Sequence, residues 1–184
     1  MKIAYLTRGE SLHDIKNLSM MVKYGHKPYL ISYYGSNLVK VKGVKVFKYE
    51  KEWLFGIGPY ITYLFGWQTT RKLFAFQAGF HLIRLLKIIR PDILHTNFIQ
   101  YEGFIGALTG FSPTLSMPWG SDVLIFPNHS FLIRLSTKYT LKKADMIQCD
   151  ANIVKEKIME IAKIPENKIK IFPQLGIEHL PSRR

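Results

Sequence analysis

The sequence predicts an α/β fold: an open parallel sheet with helices on both faces, closed in a single domain. Three observations carry this. Short apolar runs alternate along the chain with longer segments whose apolar residues recur at helical spacing. The length of 184 residues matches one ordinary domain. The composition, 47% hydrophobic against 21% charged with 13 glycines and 9 prolines, is too apolar for a disordered chain and too poor in glycine and proline for a fibrous one. No internal repeat, low-complexity run or Pro/Gly/Ser-rich linker divides the chain.

Residues 2–7 read as a buried first strand, and Ser11 follows as an N-cap with Asp14 three residues on, the pattern of a capping box. Leu12, Ile15, Leu18 and Val22 keep helical spacing until Gly25 ends it. Residues 28–34 form the second strand. Residues 44–49 form a third, whose alternating lysines predict an edge or a wet face. The longest helical pattern runs over 70–89 and stops at Arg90-Pro91, and a short apolar strand over 92–96 follows directly. Then come a short helix over 101–109, a strand over 113–117, a helix over 130–143 and a strand over 145–149. A helix over 151–162, capped by Asp150, and a last strand over 168–172 complete the series. Strand-helix alternation of this kind means a parallel sheet covered on both faces, and the fold expected is Rossmann-like.

The segment 50–69 breaks the pattern. It holds no charge from Trp53 to Thr70, nearly enough to span a bilayer, but Gly56, Gly58, Pro59 and Gly66 interrupt it, so a loop or short interfacial helix is expected. The alternative is an apolar flap folded on the domain's own core. Net charge is +13, from 26 Lys and Arg against 13 Asp and Glu, which favours nucleic acid, anionic lipid or phosphorylated ligands as partners. Position narrows the choice. No acid lies between Glu52 and Asp92, while Arg71, Lys72, Arg84, Lys87 and Arg90 fall there among nine aromatic residues. Trp53, Phe55, Trp67, Arg71 and Lys72 are therefore expected to contact an anionic membrane surface. No duplex-reading motif accompanies the charge, so nucleic acid is disfavoured. One cysteine, Cys149, can form neither an internal disulfide nor a cysteine-based zinc site, and the strand-like start is no signal peptide. Both point to the cytosol, with the chain peripheral on the inner face of the membrane.

In an open parallel sheet ligands bind beyond the C-terminal ends of the strands. The first strand delivers Arg8-Gly9-Glu10-Ser11, where Gly9 allows a tight turn and the helix opened by Ser11 favours an anion; an ordinary strand-to-helix turn is the alternative. The fourth delivers His95 and Asn97, which point to one side of an extended chain and can hydrogen-bond sugar hydroxyls or relay a proton. The fifth delivers Trp119-Gly120-Ser121-Asp122, in which Gly120 permits close backbone approach and Trp119 offers an apolar face to a sugar or lipid. A turn capped by Asp122 is the competing reading.

These pieces, in order over residues 1–178, resemble the N-terminal domain of a family 4 glycosyltransferase of the GT-B fold. The matching segments are MKIAYLTRG, Gly25-His26, PDILHTN, PTLSMPWGSDV, KKADMIQCDA and IPENKIKIFPQLGIE. The first loop lacks the family's double glycine. Asn97 stands where a second histidine is common and Trp119 where many members have histidine, and PQLGIE replaces the usual PNGVD.

The resemblance implies a retaining transfer of sugar from a nucleotide-sugar donor to a glycan or lipid-linked acceptor, without an obligatory metal or other cofactor. It makes His95 and Asn97 the candidate catalytic residues and Arg8, Gly9, Trp119, Gly120, Ser121 and Asp122 the candidate substrate-binding set. It also implies that residues 1–178 are the acceptor-binding half of a GT-B enzyme and that 179–184 begin an interdomain linker. The donor is then held mostly by a C-terminal domain in the same or a separate chain, and the isolated chain is inactive. The alternative is a stand-alone basic Rossmann-like module that binds anionic lipid or nucleic acid without catalysis.

Overall fold

A computed structural model of the chain describes residues 1–33, 37–49 and 58–172, with side chains from residue 74 onward in the last segment. Seven parallel strands form one sheet in the order β3-β2-β1-β4-β5-β6-β7. They are β1 (Lys2–Leu6), β2 (Lys27–Ser32), β3 (Lys45–Lys48), β4 (Ile93–Asn97), β5 (Thr114–Met117), β6 (Met146–Cys149) and β7 (Ile169–Ile171). The helices are α1 (Leu12–Lys23), α2 (Gly58–Ile89), α3 (Phe104–Leu108), α4 (Ser121–Leu124), α5 (Phe131–Lys143) and α6 (Asn152–Ala162). β3 does lie at an edge, as its lysines predict.

From β1 the chain steps outward one way through β2 to β3, then returns and steps the other way from β4 to β7. Right-handed crossovers therefore place α1 on one face and the later helices on the other. The register agrees. Tyr5 and Leu30, paired across β1 and β2, pack with Leu18 of α1. Their neighbours Ala4, Leu6 and Ile31 point the opposite way and pack with Ala78 and Leu82 of α2 and Ile105 of α3. On that second face Ile147, Cys149 and Ile169 pack with Leu141 of α5 and with Val154 and Ile158 of α6.

α1 opens as predicted. Ser11 Oγ accepts from the Asp14 N–H at 3.1 Å and Asp14 Oδ2 accepts from the Ser11 N–H at 3.0 Å. Elsewhere the structure corrects the sequence reading. The long helix begins at Gly58 rather than near residue 70, so the back half of the expected loop belongs to a helix of 32 residues, about 48 Å long. Pro59 sits in the first turn, where no intrahelical N–H bond is required of it, and the interior glycines Gly66 and Gly79 cost only about 1 kcal/mol each against so long a helix. α6 starts one residue later than predicted, with Ala151 at the N-cap and no side-chain cap, so Asp150 does not cap it. The helix expected over 101–109 is split, with a π-helical turn at Ile99–Gly103 leading into α3. Residues 173–184, which include PQLGIE and the expected linker, lie outside the described residues.

Candidate functional site

The direction reversal between β1 and β4 leaves a crevice at their C-terminal ends, the place where open α/β sheets take ligands. Beneath it lies a buried polar knot. Tyr5 and His95 are paired in register and their rings meet edge to face at 4.9 Å. Tyr5 donates its hydroxyl proton to Asp14 Oδ1 at 3.3 Å and accepts from the Asn17 and Asn97 amides at 3.0 and 2.7 Å. Thr7 donates to the same Asp14 oxygen at 2.8 Å and accepts from Asn97 at 3.1 Å. Burial, reinforced by the Asp14 carboxylate, pushes the Tyr5 phenol far up, so it remains a donor.

The structure places His95 and Asn97 on the same side of β4, and both are buried. The amide nitrogen of Asn97 is committed to Tyr5 and Thr7, while its Oδ1 and the Nε2 of His95 have no hydrogen-bond partner among the described residues. Burial pushes the His95 imidazole down to about 4, so it is neutral at physiological pH.

After β5, Asp122 is fully buried and ties two rim segments together. Its Oδ1 accepts from the Trp119 N–H and its Oδ2 from the Ile99 N–H, both at 2.9 Å. Burial outweighs these bonds and pushes the carboxyl up to about 6. Ser121 begins α4 and is half-buried beside it. Trp119 is half-buried with an indole N–H that has no hydrogen-bond partner among the described residues. Its ring lies 6.1 Å from that of His13 on α1, across the crevice.

Sequence reasoning missed the residue that organises this rim. Phe98 has φ 49° and ψ 98°, a backbone conformation rare for an aromatic residue. It stacks parallel on Tyr101 at 5.1 Å and meets Phe126 and Trp119 edge-on at 5.8 and 6.5 Å. Two aromatics three residues apart directly after a strand were the available signal. The result is an aromatic shelf above the polar knot.

The first loop is closed in on itself. Arg8 is exposed and pairs with Glu10 at 3.2 Å, a contact worth little in solvent, and Asp14 already holds a carboxylate at the start of α1. A further anion there meets like charge. Gly9 and Gly120 both have positive φ, +75° and +87°. A Cβ at Gly9 would stand 3.1 Å from Leu38 Cδ2 and 3.3 Å from both Leu30 methyl groups, whereas one at Gly120 meets nothing within 4 Å. In this chain Gly120 is required by its backbone angle and not by crowding. Gly9→Ala is therefore expected to cost about 2 to 3 kcal/mol and Gly120→Ala about 1 kcal/mol in urea unfolding. Equal losses would show that crowding at Gly9 relaxes freely.

Trp67, Arg71 and Lys72 fall within α2, but their side chains, like all of Trp53 and Phe55, lie outside the described residues.

The seven-stranded parallel sheet with its switch-point crevice has the Rossmann-like fold of one domain of a GT-B structure. The structure of a UDP-GlcNAc 2-epimerase from Methanocaldococcus jannaschii superposes with a TM-score of 0.57 at 13% identity, over 93% of this chain and 45% of that one. Anabaena Alr3699/HepE in complex with UDP gives 0.56 at 12% identity, over 95% and 44%. A further UDP-N-acetylglucosamine 2-epimerase gives 0.61 at 16%, over 93% and 47%. This chain thus spans a little under half the length of these structures, and at such identities the likeness shows the fold alone. The glycosyl transferase 4-like family model matches residues 2–151, and the chain belongs to that family. No curated protein matches the sequence.

Proposed function

We propose that this chain is the acceptor-binding half of a glycosyltransferase. It works with a donor-binding domain, in the same or a separate chain, to move a sugar with retention from a nucleotide sugar to a glycan or lipid-linked acceptor. Family membership supports the reaction class, and the aromatic shelf of Phe98 and Trp119 at the switch point carries the assignment of the acceptor site. Aromatic faces pack against the apolar face of a sugar ring. Below the shelf, His95 Nε2 and Asn97 Oδ1 are two of the buried polar atoms without a hydrogen-bond partner among the described residues, and a sugar hydroxyl is the kind of group that would satisfy them. A neutral His95 serves there as a hydrogen-bonding partner or proton acceptor. The enzyme acts on the cytosolic face of a membrane, held by the basic and aromatic stretch 53–90.

The purified chain with nucleotide sugars and acceptors is expected to show no transfer, and turnover by it alone would overturn the half-enzyme reading. In the two-domain protein, Trp119→Ala and Phe98→Ala are expected to lower kcat/KM about ten- to a hundred-fold, equivalent to about 1 to 3 kcal/mol of lost packing on the acceptor. Unchanged kcat/KM in both variants would place the acceptor elsewhere. Asn97→Ala is a poorer probe because it also releases Tyr5 and Thr7.

A further inference from the structure

We infer that α5 is a second membrane-docking element, lying on an anionic bilayer beside α2; this rests on the membrane reading of α2. A stripe of apolar residues at four-residue spacing runs along α5. Phe131 is 77% exposed, Leu135 52% and Tyr139 37%. Arg134, Lys138, Lys142 and Lys143 flank or interrupt the stripe, and Lys143 Nζ sits 5.8 Å over the Tyr139 ring. Apolar surface set between cations, with long lysine stems to reach back to headgroups, is the pattern of a helix lying in a bilayer interface.

The pattern extends beyond one helix. On α2, Phe76 and Phe80 are 50% and 70% exposed, with exposed Arg84 and Lys87 further along. The two helices share one face of the sheet with α3 between them. Phe104 of α3 bridges them, 6.2 Å from the Phe76 ring and 6.0 Å from the Tyr139 ring. α2, α3 and α5 contain no Asp or Glu, and Glu102 and Asp122, between β4 and α5, are both buried; on the same face the exposed Glu160 of α6 pairs with Arg134 at 3.6 Å, so the lysines of α5 carry the cationic part of the pattern. A protein partner reading these cations would need matching carboxylates placed across two helices, whereas an anionic leaflet meets them all without register. No described helix is long and apolar enough to cross the membrane, so docking is at the surface.

The test is cosedimentation of the full chain with phosphatidylcholine vesicles, with and without phosphatidylglycerol, at low and high salt. Binding is expected only with the anionic lipid, weakening as salt rises. Lys138→Gln with Lys142→Gln should weaken it about thirty-fold, since each lysine near such a leaflet adds roughly a five-fold factor. Phe131→Ser with Leu135→Ser should weaken it about ten-fold or more, while Ile153→Ser, exposed on α6, should change nothing. If circular dichroism shows the Phe131/Leu135 pair unfolded, the lysine pair decides, because Lys and Gln have similar helix propensities. Binding that is lost with Phe76→Ser and Phe80→Ser but indifferent to both α5 pairs overturns the role of α5 and leaves that of α2. Equal binding to neutral vesicles, or none to anionic vesicles at low salt, overturns both.

Discussion

Asp14→Ala is expected to lower the melting temperature by about 10 °C. Asp14 is fully buried and accepts hydrogen bonds from Tyr5, Thr7 and both the backbone and the hydroxyl of Ser11. Removing it opens the capping box and strands two buried hydroxyl donors, and each loss of that kind costs about 1 to 3 kcal/mol. A total near 3 to 5 kcal/mol shifts melting by about 2 to 4 °C per kcal/mol in a chain of this size. Asp14→Asn, which keeps one acceptor oxygen, should fall between. A shift of only a degree or two, read by calorimetry, would mean that water replaces the carboxylate and that the knot is not closed.

The second large effect is in pH. His95 and Asp122 should tilt stability in opposite directions over the same interval. The imidazole falls from 6.5 to about 4, so the unfolded chain binds its proton more readily than the folded one. The contribution of His95 is complete above pH 6.5 and is lost as pH falls toward 4. Asp122 rises from 3.8 to about 6, so the folded chain holds its proton longer. Its contribution is complete below pH 3.8 and is lost as pH rises through 6. Shifts of this size correspond to about 3 kcal/mol each. The two nearly cancel in the native chain. Comparing each variant with the native chain at the same pH removes the other titrating groups. Relative to native, His95→Gln should become less stable as pH rises from 4 to 6.5, and Asp122→Asn should become more stable over the same range. Chemical denaturation at several pH values measures both slopes, and parallel curves would mean that neither group titrates differently on folding.

Much of the architecture was legible because it is written in local pattern. The capping box at Ser11, the apolar strands and the lysines of β3 follow from residues adjacent in the chain, and periodicity reports such features directly. The start of α2 was hidden because Pro59 and Gly66 count as breakers in a local reading, while their cost is diluted over a long helix. The site was only partly legible. Position after a strand pointed to His95, Asn97, Trp119 and Asp122. Their partners come from up to 92 residues away, as Asn97 to Tyr5 does, and no local pattern carries that pairing. Phe98 was missed for a related reason. Its importance lies in a backbone angle and in rings from three segments, and neither is encoded by its neighbours.

The edges of the sheet set how copies of this chain meet. Among the described strands the ladder ends at β3 and β7, of four and three residues. Lys45 and Lys48 close the first, Lys170 sits within the second and Lys168 comes just before it. A strand added from another molecule would find few free backbone groups to pair with and would have to bring its own chain against ammonium groups. Lateral growth into an extended sheet, the usual route from an open edge to insoluble aggregate, is disfavoured at both described edges. Crowding many copies together therefore presses on the helical layer and leaves the hydrogen-bonded ladder of each copy its own.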